Sequence, residues 1–136
     1  MYTNNNKKFF IRKNSTLPIL KYPITQKIME HYGIVEDMFE NCAVTFSMVD
    51  NETDTFFIAN VPAELIVIDN RVVRDGRAKY TLSYKFKEFE TRKAGRFGGE
   101  FVVDFMGEMG CGKIKFPITE QIDIIVSDSI TKTTVI

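Results

Sequence analysis

The residues of this 136-residue chain that could do chemistry are few. His31 is the lone histidine. A general base needs a nucleophile to deprotonate or a group that orients it, and with no paired Ser, Cys or Asp this residue reads as a packed or surface side chain. Asp50, Glu52 and Asp54 alternate in a polar turn, the start of a calcium-loop pattern. Such a loop also needs a glycine at its sixth position and a bidentate Glu at its twelfth, and both are missing here. Gly107, Gly110 and Gly112 resemble a phosphate cradle in spacing, but they join two strand-like segments and open no helix whose N–H groups would hold a phosphate. Cys42 and Cys111 could in principle pair. A cytoplasm-like reducing compartment argues for two free thiols, with Cys42 a small core residue. Two distant cysteines and one histidine make no zinc site. The expectation is a protein that is not an enzyme and takes no metal and no cofactor.

The elements that would position these residues are mostly strands. Fifteen Ile, eleven Val and twelve Thr stand against four Leu and five Ala, and branching at Cβ suits a pleated sheet better than a helix. Residues 8–13 form a first strand. The segment 17–23 carries two prolines, which lack an N–H for the ladder, and is assigned to a sheet edge. From Thr25 the period changes to three and four, through Ile28, Met29 and Tyr32 and then Val35, Met38 and Phe39, with Gly33 as a C-cap between two short helical turns. Glu36 and Asp37 complement the dipole of the second turn. Residues 25–41 therefore form a short helical insertion.

Beyond it the period is two. Val44, Phe46 and Met48 share one face, as do Tyr80, Leu82, Tyr84 and Phe86, and then Phe97, Phe101, Val103 and Phe105. Strands at 55–59, 63–68, 113–116 and 122–126 are separated by polar turns, by a charged loop at 74–77 and by the mixed-sign stretch 87–96. Gly98-Gly99 marks a bulge or a close approach by another backbone, or simply a twisted strand. The pattern defines an all-β fold, an antiparallel sandwich of about seven to eight strands. One domain spans 1–136, with a polar N-terminal arm at 1–7 and a C-terminal tail at 129–136.

Charge narrows the partners. Eighteen basic and eighteen acidic residues cancel, which disfavours the phosphate-neutralising surface that nucleic acid demands. Lys79, Tyr80, Tyr84, Lys85, Phe86, Lys87 and Phe89 mix basic and aromatic groups, yet a sandwich strand with a wet outer face shows the same mixture. No segment approaches a membrane span, so no membrane partner is expected. Protein or sugar remains.

Several segments occur in an order that resembles small phage virion proteins related to the N-terminal domain of the baseplate upper protein of siphophages. They are the start at 11–18, the strand 43–48, Ala63-Glu64-Leu65, Ala94-Gly95-Arg96-Phe97, the strand 99–105 and the closing strand 122–128. The helical insertion and the Cys111 turn depart from that pattern. The resemblance implies an immunoglobulin-like sandwich acting as a structural adaptor of a phage tail, baseplate or fibre attachment, located in the virion. Its implied partners are other virion proteins and further copies of itself, and it brings no catalytic residues. The expected interaction residues are Ser129, Ile130, Thr131, Thr133, Val135 and Ile136 of the β-branched tail, with Phe9 and Phe10 of the first strand. The competing expectation is a carbohydrate-binding sandwich, for which Tyr80, Tyr84, Phe56 and Phe57 would have to be solvent-facing.

Overall fold

The computed structural model describes residues 8–68, 78–107 and 112–128. The helical insertion begins where the sequence places it. Helix α1 (Gln26–Tyr32) starts at Thr25, whose side-chain oxygen accepts from the Ile28 N–H at 3.2 Å, and ends at Gly33 in the left-handed region with φ 71°. Seven residues make a helix too short to be stable alone. Packing holds it: Met29 and Ile34 are buried. A 3-10 helix follows at Glu36–Asn41. Its Phe39 stacks on Tyr80 at 4.2 Å and meets the edge of Phe105 at 5.3 Å. The insertion thus plugs one end of the domain core, and an ion pair between Glu36 and Lys79 at 2.8 Å ties its surface down.

Nine strands lie among the described residues: β1 (Lys8–Arg12), β2 (Leu20–Ile24), β3 (Cys42–Asp50), β4 (Thr55–Pro62), β5 (Glu64–Val67), β6 (Tyr80–Tyr84), β7 (Gly95–Phe105), β8 (Gly112–Phe116) and β9 (Ile122–Ser127). The count exceeds the expected seven to eight because the short edge segments β1 and β2 are each paired over five residues. The larger sheet runs β1-β9-β7-β3-β4 with β8 on β7, and the smaller runs β2-β6-β5. Both are antiparallel except for β1, which lies parallel to β9. The antiparallel sandwich expected from the sequence is thus present, with this one parallel pair among the described strands. β1 and β9 run toward the same end of the sandwich, where the Lys13 N–H continues the ladder to the Ser127 carbonyl.

Two long runs change partners without reversing. The chain from 55 to 67 pairs with β3 as β4, then crosses at Ala63 to pair with β6 as β5. Similarly, β8 covers one half of β7 and β9 covers the other half of the same edge. This leaves the 11-residue β7 flanked from Phe97 to Phe105 by β3 on the opposite side.

The two sheets meet through aromatic rings. Phe46 of β3 stacks on Tyr84 of β6 at 4.6 Å and contacts Phe101 at 5.1 Å and Phe86 at 5.8 Å, while Tyr22 of β2 faces Phe116 of β8 at 5.9 Å. The close approach at Gly99 is made by side chains and not by another backbone: a Cβ there would lie 2.6 Å from Ile124 Cδ1 and 3.2 Å from the Phe46 ring. The β3–β7 register passes unbroken through Gly98 and Gly99, so no bulge lies on that pairing. The irregularities fall between β3 and β4 instead. They turn both Phe57 and Ile58 toward the core, and Asn60 with φ 50° exchanges hydrogen bonds with the Ser47 hydroxyl.

Candidate functional site

The chemically capable residues are mostly engaged in holding the fold. Cys42 is a free, half-buried thiol whose Sγ–H donates to the Phe39 carbonyl, and burial pushes its pKa up, away from a reactive thiolate. Cys111 lies outside the described residues, as do 108–110, but the flanks of that turn pair as a hairpin, Phe105 opposite Gly112. His31 is exposed, its ring edge-on to Tyr32 at 4.6 Å. Asp50 points into the protein and caps its own turn: its carboxylate accepts from the Glu52 N–H at 2.9 Å and from Lys93 Nζ at 2.5 Å. That arrangement uses the oxygens a calcium ion would need. Among the described residues no group of three or more acidic, His or Cys side chains converges.

The Asp50–Lys93 pair carries a pH signature. The hydrogen bond from Lys93, followed by that from Glu52, holds the Asp50 carboxyl below its ordinary 3.8, and the same bond from Asp50 raises Lys93 above 10.5. Lowering a carboxyl pKa on folding adds stability that is complete above the unfolded value and is lost as pH falls through the folded one. Raising an ammonium pKa adds stability that is complete below 10.5 and is lost as pH rises through the folded value. Subtracting the urea midpoint of Asp50→Asn from that of the native protein should therefore leave a plateau between these limits that declines on both sides. A difference independent of pH would show that the pair is not coupled to folding.

The aromatic candidates divide sharply. Tyr80 and Tyr84 are 5% and 6% exposed, and burial, then Glu90, pushes the Tyr84 hydroxyl pKa well above its usual value. Phe57 packs on Phe97 at 5.2 Å beneath the Arg92 guanidinium. Phe56 alone of the four is largely open, at 64% exposure. Three of the rings required for the sugar platform expected from the sequence therefore serve the core. In the basic and aromatic mixture, Phe86 is likewise buried and Lys79 is paired with Glu36.

The expected interaction residues 129–136 lie outside the described residues. Phe9 and Phe10 differ from one another. Phe9 turns inward, partly buried against the core, and stacks on Phe86 at 5.9 Å. Phe10 faces out, 61% exposed, on a strand at the edge of the larger sheet.

A surface unforeseen from the sequence sits between these exposed rings. On the outer face of the larger sheet, Phe56, Val49, Gly98, Asp123 and Lys8 are successive register partners across β4, β3, β7, β9 and β1. The neighbouring row holds Asn51, whose N–H donates to the Arg96 carbonyl, then Arg96, Ile125 and Phe10. Glycine at position 98 removes a side chain from the middle of this face, and Gln121 folds over the bare backbone. The result is a cleft of about 540 Å³ floored by Gly95 and Gly98, with the Arg96–Asp123 ion pair at its side. The glycine pair was the one sequence signal for it. Its polar lining is contributed by a turn, a strand and the 117–121 connection, which no local spacing brings together.

No family model, curated protein or solved structure matches the chain.

Proposed function

We propose that this protein is a non-enzymatic structural subunit of a phage virion, an adaptor of the tail, baseplate or fibre attachment that acts through protein–protein contacts. The observation that carries this reading is the edge of the larger sheet. Among the described residues β1 is its terminal strand with one ladder edge left open, and it presents Phe10 to solvent, an edge with an apolar anchor of the kind another chain covers by strand addition or packing. The tail 129–136 follows β9 in the chain, and β9 is the strand on which β1 is laid. The order of segments that resembles baseplate upper proteins supports the same role. Symmetric copies would let modest contacts add through effective concentration.

The test is incorporation. Truncation after Asp128 should leave the domain folded but sharply reduce the subunit found in purified particles, and Phe10→Ser should weaken incorporation in the same direction. Unchanged assembly with both variants would overturn the assignment of this edge as the contact surface.

A further inference from the structure

We propose that the cleft on the outer face of the larger sheet binds a neutral saccharide, a pyranoside without a charged substituent. This site goes beyond the assembly role and stands whether or not that role holds. It also differs from the tyrosine platform expected from the sequence, because it is centred on Arg96, Gly98, Gln121 and Asp123.

Three features select the ligand class. First, the cleft offers both kinds of hydrogen-bonding group in fixed positions. Arg96 and Asp123 are paired, which offsets these two charges beside the Glu52 carboxylate and orients the remaining guanidinium donors and carboxylate acceptors. The side-chain amides of Asn51 and Gln121, each a donor and an acceptor, make no hydrogen bond to another described residue. Sugar hydroxyls both donate and accept and match such a set. An anion would meet the carboxylates of Asp123 and Glu52, and a cation would meet Arg96.

Second, the volume of about 540 Å³ falls within the roughly 300–1,000 Å³ of small-ligand sites, while the lining is as polar as it is apolar. A polyhydroxylated ring suits that balance better than an apolar ligand. Third, exposed rings flank the polar centre. Phe56 is two strands from Gly98 on the same face, roughly 10 Å at the usual strand spacing. Phe10 is two strands from Arg96 on the other side. Neither ring lines the cleft itself; they stand where a bound pyranoside or its oligomer extends beyond it, offering apolar faces to the C–H groups of a sugar ring. A peptide adding as a strand finds no ladder here, because β9, β7 and β3 are paired with one another through the cleft.

The experiment is an amide-shift titration of the full chain with methyl glycosides of glucose, galactose, mannose, rhamnose and N-acetylglucosamine and with their short oligomers, with sialic acid and glucuronate as charged comparisons. The expected result is saturable shifts at Asn51, Gly98, Gln121 and Asp123 with at least one neutral sugar. Gln121→Ala and Phe56→Ala, both at exposed positions, should weaken that affinity by about tenfold each while the remaining spectrum stays folded. The proposal is overturned if no neutral sugar of the panel gives saturable shifts, if only the charged sugars bind, or if the shifts map elsewhere. Broadening of the same residues that grows with protein concentration and is not relieved by sugar would also overturn it, by making this face a contact between copies.

Discussion

Replacing Phe46 by alanine is expected to lower the free energy of unfolding by about 3–5 kcal/mol, the usual cost of deleting a fully buried phenylalanine. Phe46 is completely buried and contacts Tyr84 and Phe86 on the smaller-sheet side and Phe101 within its own sheet. It is also the ring against which Gly99 is fitted. Removing it therefore opens a cavity where the two sheets meet, and no neighbour can fill the gap without leaving its own rotamer. A domain of this size has only about 5–15 kcal/mol to lose. Urea unfolding should show a large drop in midpoint with an unchanged slope. A loss below about 1 kcal/mol would place the junction of the sheets elsewhere, since surface substitutions rarely exceed about 0.5 kcal/mol.

The second large effect concerns Glu90. This carboxyl group is 5% exposed, accepts from the Tyr84 hydroxyl at 2.7 Å and 2.9 Å on its two oxygens, and accepts from the Lys87 N–H at 2.9 Å. Glu90→Ala would leave the buried phenol hydroxyl without its acceptor, which costs roughly 1–3 kcal/mol beyond the lost packing. Tyr84→Phe removes the hydroxyl itself and leaves the carboxylate with the Lys87 N–H. In the double variant the penalty for the orphaned hydroxyl disappears, and the cycle should return an interaction energy of about 0.5–3 kcal/mol. Additive losses would mean that the two side chains do not share a bond in solution.

Glu90 also shows where sequence reasoning stops. It lies in the mixed-sign run 87–96, where period and composition offer no reason to bury a carboxyl. The structure does so because a 3-10 helix at Glu88–Thr91 folds back on the chain: the Thr91 hydroxyl donates to the Ser15 carbonyl and the Asn14 N–H donates to the Thr91 carbonyl. These partners are more than 70 residues apart in the chain, so no local pattern announces them. By contrast, the alternation of Val44, Phe46 and Met48 and the Gly33 cap are local consequences of side-chain direction and backbone freedom, and they were legible directly. Phe9 and Phe10 mark the boundary between the two cases. Their adjacency guarantees opposite faces on a strand, but which ring faces the core is decided by the parallel register with β9, a pairing between the two ends of the chain.

The cleft at Gly98 was half visible for the same reason. Two glycines in a strand signalled close approach, and Gly99 supplies it against Ile124 and Phe46. Gly98 is a close approach as well, to the Gln121 side chain that covers it on the outer face, and this depends on the 117–121 connection leading into β9 beside β7.

The assembly role is tested most directly by quantitative mass spectrometry of purified phage particles set against the lysate from which they came. The proposed function predicts this chain in the particles at a fixed ratio to the tail or baseplate proteins. Recovery as a free monomer in the lysate, with none in the particles, would contradict it.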